Sequence, residues 1–219
     1  MHLSRTPLGT DAAAATRARP YALDVRRTED AVRELADRAE ITDALYRFGL
    51  GQDLHDRALF RSAFADDATL DFGPAAAAWG GHSPVMTGAD IIVDTILTGF
   101  DGRVGTSHTV SNPRVAVAAD RGSAELTALV EAQHLLTADR TTYALLKNLY
   151  AVALVPAGDG SGSGSAGDDG SWSGFGSAGD DGSGAEGGDA AGGGAGRWLI
   201  RTLRIDNIWY SGDPGAVFG

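Results

Sequence analysis

The chain of 219 residues contains no cysteine. Disulfides, thiolate nucleophiles and cysteine-bound zinc are therefore excluded, and any chemistry falls to His, Asp, Glu, Tyr, Lys or Arg. No apolar run approaches the ~20 residues that a helix needs to cross a bilayer. The first twenty residues, rich in Ala, Arg and Thr, hold nothing like the apolar stretch of a secretory signal. The expectation is a soluble, cytoplasmic protein with no membrane partner. Positive charge is also scarce, since 18 Lys and Arg face 29 Asp and Glu for a formal net charge of -11. Such a surface repels phosphate backbones, so no nucleic-acid partner is expected.

What is present suffices for one well-packed domain. Hydrophobic residues make up 43% of the chain, and a chain of this length can bury a core that needs no staples. Residues 1–27 read as an unstructured arm. From Thr28, expected to cap a first helix, Val32, Leu35, Ala36 and Ala39, then Thr42, Leu45, Tyr46 and Gly49 recur at helical spacing. Gly49 and Gly51 are expected to end that helix, which leaves Asp53 just beyond it. A second helix is expected from Asp56 to Ala65, a short strand from Ala68 to Phe72, and a third helix from Ala89 to Phe100 after a cap at Thr87. The remainder reads as strands, with a break at Asn112 and Pro113 and a hairpin at Asp120, Arg121 and Gly122.

Residues 157–196 are Gly, Ser, Ala and Asp almost throughout, and one octapeptide occurs twice, at 164–171 and 176–183. Such a segment has too little apolar surface to order itself. It is expected to be a disordered insertion between two strands, carried at modest loop-closure cost.

Three polar residues stand out against this background. His108 lies in a short β-type run from Thr106 to Asn112. On the strand after the hairpin, Ala124, Leu126, Ala128, Val130, Ala132, His134 and Leu136 share one face, which puts His134 on the buried side. The small residues on that face leave room beside a polar group, as a pocket requires. On the next strand Leu146, Asn148, Tyr150 and Val152 share a face, so Asn148 is a candidate buried amide. A lone buried histidine or amide is as readily explained by one structural hydrogen bond. Asp53, taken alone, reads as a solvated loop acid. Asp53, His55 and His82 could be read as metal ligands, although their spacing favours no metal.

Three helices followed by antiparallel strands imply an α+β domain with helices on one side of a sheet. The order of elements carries a set of residues: Tyr46, Asp53 and Asp56 around the end of helix one, Phe64, Asp66 and Asp67 before the first strand, Thr106, Ser107, His108 and Asn112, and a closing Trp198 to Leu203. This combination resembles the SnoaL-like branch of the nuclear transport factor 2 superfamily, which is similar in turn to scytalone dehydratase and the lindane dehydrochlorinases. The resemblance covers residues 28–156 and 197–212 and leaves 213–219 as a C-terminal tail. It implies a cone-shaped, curved antiparallel sheet wrapped by about three N-terminal helices, the cystatin-like α+β barrel.

The resemblance also implies functions for particular residues. Asp53 and His108 match a catalytic Asp/His dyad with His108 as base, His134 a second catalytic histidine that protonates or hydrogen-bonds a leaving oxygen, and Asn148 an asparagine that holds a substrate carbonyl oxygen. Tyr46, Phe72, Trp79 and Tyr150 complete the expected substrate-binding set. Two departures stand against specific scytalone dehydration: Gln52 and Phe72 occupy the positions of water-holding tyrosines, and Leu146 that of a serine. The implied chemistry is proton abstraction from a small hydrophobic, polyketide-like or cyclic molecule, followed by elimination, isomerisation or ring closure, with no metal or organic cofactor. Because fold does not fix function, a non-catalytic ligand-binding or dimerising module is the alternative. A homodimer joined through the outer sheet face is the expected assembly.

Deleting residues 158–195 is expected to leave the melting temperature almost unchanged in a thermal denaturation. A large fall would mean that the insertion packs against the domain.

Overall fold

A computed structural model describes residues 2–3, 27–158 and 197–219. Most of the arm and nearly all of the Gly- and Asp-rich insertion lie outside the described residues. His2–Leu3 (β1) is a two-residue strand paired with Tyr210 and Trp209, so at least these positions of the expected arm join the sheet.

The first helix, α1, spans Thr28–Asp53. Its buried stripe is Ile41, Ala44, Leu45, Phe48 and Gln52, a 3.6-residue repeat that faces the sheet. Arg27, not Thr28, occupies the N-cap position and makes no side-chain cap. Gly49 and Gly51 do not end the helix as expected, because they serve close packing. A Cβ on Gly51 would lie 2.4 Å from Phe60 Cα, and one on Gly49 would lie 3.2 Å from His108 Cβ. The helix ends two residues later, where His55 takes a positive φ of 52°.

Asp56 then caps the short helix α2 (Arg57–Arg61) by accepting from Leu59 N at 2.9 Å. That helix stops earlier than expected because Phe64 already belongs to strand β2 (Phe64–Asp71). Phe48, Phe60 and Phe64 meet edge to face with centroids 5.5–5.9 Å apart, and this cluster joins α1, α2 and β2.

After α3 (Gly73–Ala77) and β3 (Met86–Thr87), α4 spans Ala89–Phe100 as expected. Its cap position is Gly88 at φ 97°, with the Gly88 amide bonded to Ala68 O at 2.7 Å; Thr87 belongs to β3. Four long strands follow: β4 (Val104–Val117), β5 (Ala124–Leu136), β6 (Tyr143–Pro156) and β7 (Trp198–Gly212). Together with β2 and β3 they form a curved, unclosed sheet in the order β3-β2-β7-β6-β5-β4, with β1 paired to β7 off this path.

The sheet is mixed rather than wholly antiparallel, because β2 runs parallel to β7, with Leu70 opposite Leu203. No hairpin joins these two strands; the rest of the domain lies between them, so nothing forces them antiparallel. Asn112 and Pro113 make a bulge within β4, Asn112 adopting a φ of 53°, and do not break the strand. Two register shifts against β6 explain why β7 shows apolar residues on both faces: Trp198 and Ile200 point inward before the first, Leu203 and Ile205 after it.

On the inner face, small residues of β5 stand opposite larger ones of β6. Ala128 pairs with Tyr150 and Ala132 with Leu146, whereas the larger His134 of β5 faces the small Ala144. The insertion leaves the sheet where Ala157 N donates to Arg197 O at 2.7 Å. The opposite end of β7 turns at Gly212 into a last helix, α5 (Pro214–Phe218), where a tail was expected. Asp213 caps it by accepting from Ala216 N at 3.0 Å, and Val217 is fully buried.

Gly51→Ala is expected to destabilise the fold by roughly 2–3 kcal/mol, because overpacking against backbone outweighs the better helix propensity of Ala. Gly99→Ala in α4, where a Cβ meets nothing within 4 Å, is expected to be neutral or mildly stabilising. Urea unfolding of both variants checks the opposite signs.

Candidate active site

Asp53 is the last residue of α1, and the helix delivers its carboxylate to the inner face of β4. Three donors from one strand converge on it. Thr106 Oγ1 donates to Oδ1 at 2.8 Å, the His108 amide to Oδ2 at 2.7 Å, and His108 Nδ1 lies 2.7 Å from Oδ1. Thr106 and His108 sit two apart on β4, so their side chains share a face. Burial alone would raise the Asp53 carboxyl, but the hydrogen bonds and charge of His108, its amide and the Thr106 hydroxyl outweigh burial and hold the group below its ordinary value. Asp53 is thus an anion that accepts from Nδ1–H of His108. That contact selects the tautomer whose Nε2 is a bare acceptor.

His108 lines a cavity of about 120 Å³ under the curve of the sheet, together with Phe48, Phe72, His134, Asn148 and Tyr150. Ala132 lies opposite His108 in the strand pairing, which keeps the floor between the two imidazoles and β6 clear. The rings of His108 and His134 stand 5.7 Å apart and nearly perpendicular. Phe48 supports the site from α1, edge to face with both His108 and Tyr150.

Two polar atoms of this cavity have no partner among the described residues: His134 Nδ1 and Asn148 Nδ2. The orientation of Asn148 is fixed from behind. Asn207 Nδ2 donates both to Trp209 O at 3.0 Å and to Asn148 Oδ1 at 2.9 Å, which leaves the Asn148 NH₂ group to the cavity. Burial, and next the nearby His108, push the His134 imidazole down to about 3, against smaller opposing effects of Asp53 and the Ala132 backbone. His134 is therefore neutral at any physiological pH. Burial pushes the Tyr150 phenol up, so it stays protonated as a donor.

The structure brings together six of the eight residues singled out in the sequence: Asp53, His108, His134, Asn148, Phe72 and Tyr150. Tyr46 is not among them. It is 43% exposed, in line with Leu50 and Leu54 on the outer side of α1, because the inward stripe runs one residue away through Leu45 and Phe48. Trp79 does not reach the inner cavity either; it packs behind Phe72 and Phe218, at ring distances of 5.7 Å from each. Asp53, His55 and His82 do not gather, and among the described residues no cluster suited to a metal ion forms.

Sequence reasoning missed Phe48 and Phe218 as lining residues and treated Gln52 only as a departure. Phe48 and Gln52 follow Ile41 and Leu45 on one helical face, a signal that was available. Phe218 comes from α5, whose Asp213-Pro214 start is a recognisable helix N-terminus. Its ring centroid lies 4.8 Å from that of His134.

The comparisons with known proteins agree with this architecture. The "Terrestric acid biosynthesis cluster protein E" of Penicillium crustosum is 32% identical over 131 residues, 58% of this chain and 77% of that protein. Among solved structures, a scytalone dehydratase candidate from Novosphingobium aromaticivorans superposes with a TM-score of 0.56 at 16% identity, covering 82% of this chain and 89% of that one. The hexachlorocyclohexane dehydrochlorinase LinA-type3 from Novosphingobium barchaimii superposes with a TM-score of 0.55 at 15% identity, covering 84% and 94%. The two structural likenesses carry the fold. A model of the SnoaL-like domain matches residues 33–172, and with well over half of its length matched, the chain belongs to the SnoaL-like domain family.

Proposed function

We propose that the protein is a cofactor-independent lyase or isomerase in which His108, oriented by Asp53, removes a proton from carbon in a small, uncharged, largely apolar substrate. The observation that carries this reading is the convergence of three donors on the Asp53 carboxylate, one of them His108 Nδ1. It leaves Nε2 as the base on the cavity side. The similar folds named as a dehydratase and a dehydrochlorinase both point to eliminations, and the chemistry here suits that class.

In the proposed step the C–H electron pair beside a carbonyl moves into the carbon framework while His108 Nε2 takes the proton. Negative charge collects on the carbonyl oxygen, where the Asn148 NH₂ group and the Tyr150 hydroxyl stand as donors. The electron pair then returns and expels a β-substituent, which the His108 imidazolium protonates as it leaves. The anionic Asp53 stabilises that imidazolium. His134, neutral throughout, acts as a hydrogen-bond partner for substrate; it is not the acid. Thr106 holds the Asp53 carboxylate in register with the imidazole.

Assayed on a panel of cyclic β-hydroxy ketones, Asp53→Asn and His108→Gln are each expected to lower turnover by about 10² to 10⁴, the usual contribution of a positioned general base. Thr106→Val is expected to cost less than either. Circular dichroism establishes that the variants fold, and ligand binding should survive in them. Turnover indifferent to both substitutions would remove His108 as the base. Ligand binding with no turnover by the wild type would support a binding module instead.

The depressed imidazole of His134 also predicts a pH dependence of stability. It titrates near 3 in the fold and near 6.5 when unfolded, so between these values the unfolded chain binds the additional proton and stability falls as pH falls. The slope from this one group is roughly 1.4 kcal/mol per pH unit. Urea unfolding of wild type and His134→Asn between pH 6.5 and 4.5 reads the difference. Parallel curves for the two proteins would show that His134 is not held neutral by burial.

A further inference from the structure

The inner cavity holds little more than one ring. Its volume of about 120 Å³ is close to the ~150 Å³ of an engineered apolar protein cavity that takes a single benzene. A second hollow lies directly beyond its wall: an open cleft of about 400 Å³ between the loop 79–83 and α5. The two spaces share Phe72, Ser83 and Phe218 as lining. One thin partition, the edge-to-face contact of Phe72 and Phe218 with centroids 5.8 Å apart, therefore stands between His134 and the cleft.

The cleft has a built character. Trp79 stacks on Phe218 at an interplanar angle of 23° and meets Tyr210 edge-on, which fixes the plane of the indole. The loop is closed on itself by Gly81 N donating to Ala76 O at 2.9 Å. Gly80 allows the turn at a φ of 80°, and Gly81, where a Cβ would lie 2.8 Å from Trp79 Nε1, allows the backbone to approach the indole. Among the described residues the polar side-chain groups of the cleft are the Trp79 indole N–H, His82 and Ser83, and no Asp, Glu, Lys or Arg lines it. On the α5 side the wall hangs on a five-residue helix entered through Gly212 at φ 87°.

We propose that this cleft is a second ligand subsite. It receives the flat, uncharged, conjugated portion of a two-ring ligand whose reacting ring occupies the inner cavity, and the Phe72–Phe218 contact parts to let the ligand bridge the two spaces. The proposal rests on the reading of the inner cavity given above. Trp79 supplies the stacking face, and His82 and Ser83 offer hydrogen bonds to an oxygen on the outer ring. A carboxylated or phosphorylated extension finds no cation there.

Cyclohexanone and 1-tetralone are suitable probes, because the second is the first with a fused flat ring. Their affinities are measured by calorimetry, and the side-chain NMR signals of His134 and Asn148 report on the inner cavity. The expected result is that 1-tetralone binds about tenfold more tightly than cyclohexanone. Trp79→Ala should remove that advantage and leave cyclohexanone affinity within about twofold, a factor that matches the loss of one aromatic stack. Gly215→Leu, which adds bulk to the cleft without reaching the inner cavity, should act in the same selective way, so the test does not depend on how well the Trp79 variant packs. If cyclohexanone shifts the His134 and Asn148 signals but 1-tetralone gains nothing, or gains equally in both variants, the cleft is not a subsite and the inner-cavity reading stands. If neither ketone moves those signals, both readings fall together.

Discussion

The carboxylate of Asp53 accepts hydrogen bonds from the Thr106 hydroxyl, the His108 amide and the His108 ring, and through them the C-terminal end of α1 is fixed to β4. A carboxylate there is opposed by the helix dipole, whose negative end it shares. Burial opposes the charge as well. Three short contacts, two from neutral donors and one from an imidazole, offset both effects. Their geometry demands that helix and strand lie close, and the glycines of α1 allow it: Gly49 leaves room for His108, and Gly51 for the backbone of α2 at Phe60. The length of α1, which carries Asp53 as its last residue, and the glycine at 49 both serve this one contact.

The same economy of side-chain size shapes the cavity. Where β5 carries Ala128 and Ala132, β6 carries Tyr150 and Leu146 opposite, so the sheet is filled on one side of the floor and open on the other. Large residues at the β5 positions would close the space in front of His108 and leave an ordinary packed core. The end of the sheet where β7 begins is held by buried polar contacts instead. There Trp198 Nε1 donates to Asp37 at 3.2 Å, and Arg47 donates to the Trp198 carbonyl at 3.0 Å and to the Ser62 carbonyl. The insertion departs at this end, the end of β7 opposite the one that leads into α5.

Much of this was legible in the chain. Strict alternation over Ala124 to His134 placed His134 on the buried face, and the Ala-rich pattern announced a space beside it. The pairing of Asp53 with His108 was available only through the order of motifs, because the two are 55 residues apart and each alone has a plainer explanation. Local rules failed where tertiary packing overrides them. Glycine is a common helix terminator, yet at 49 and 51 it relieves crowding from elements that no local window contains. The parallel run of β2 beside β7 is likewise invisible to hairpin reasoning, since the partners are separated by most of the domain. Tyr46 was misplaced by one position on the helical wheel, which is enough to turn a side chain from the cavity to solvent. Phe218 was overlooked because a five-residue helix has little periodicity, although its cap was readable.

The two imidazoles of the cavity stand in different environments. His134 Nδ1 and Asn148 Nδ2 are buried with no well-formed hydrogen bond among the described residues, and such an atom costs about 1–3 kcal/mol when left unbonded. In the proposed reaction a substrate oxygen in the cavity would satisfy them. The two imidazoles stand 5.7 Å apart, so a proton on one disfavours a proton on the other. The Asp53 carboxylate contacts His108 directly, whereas burial and the neighbouring His108 hold His134 neutral. In the proposed reaction this asymmetry would give the pair a direction: the proton from the substrate would reside on the imidazole that faces the anion, with its neutral neighbour left as a partner for the substrate oxygen.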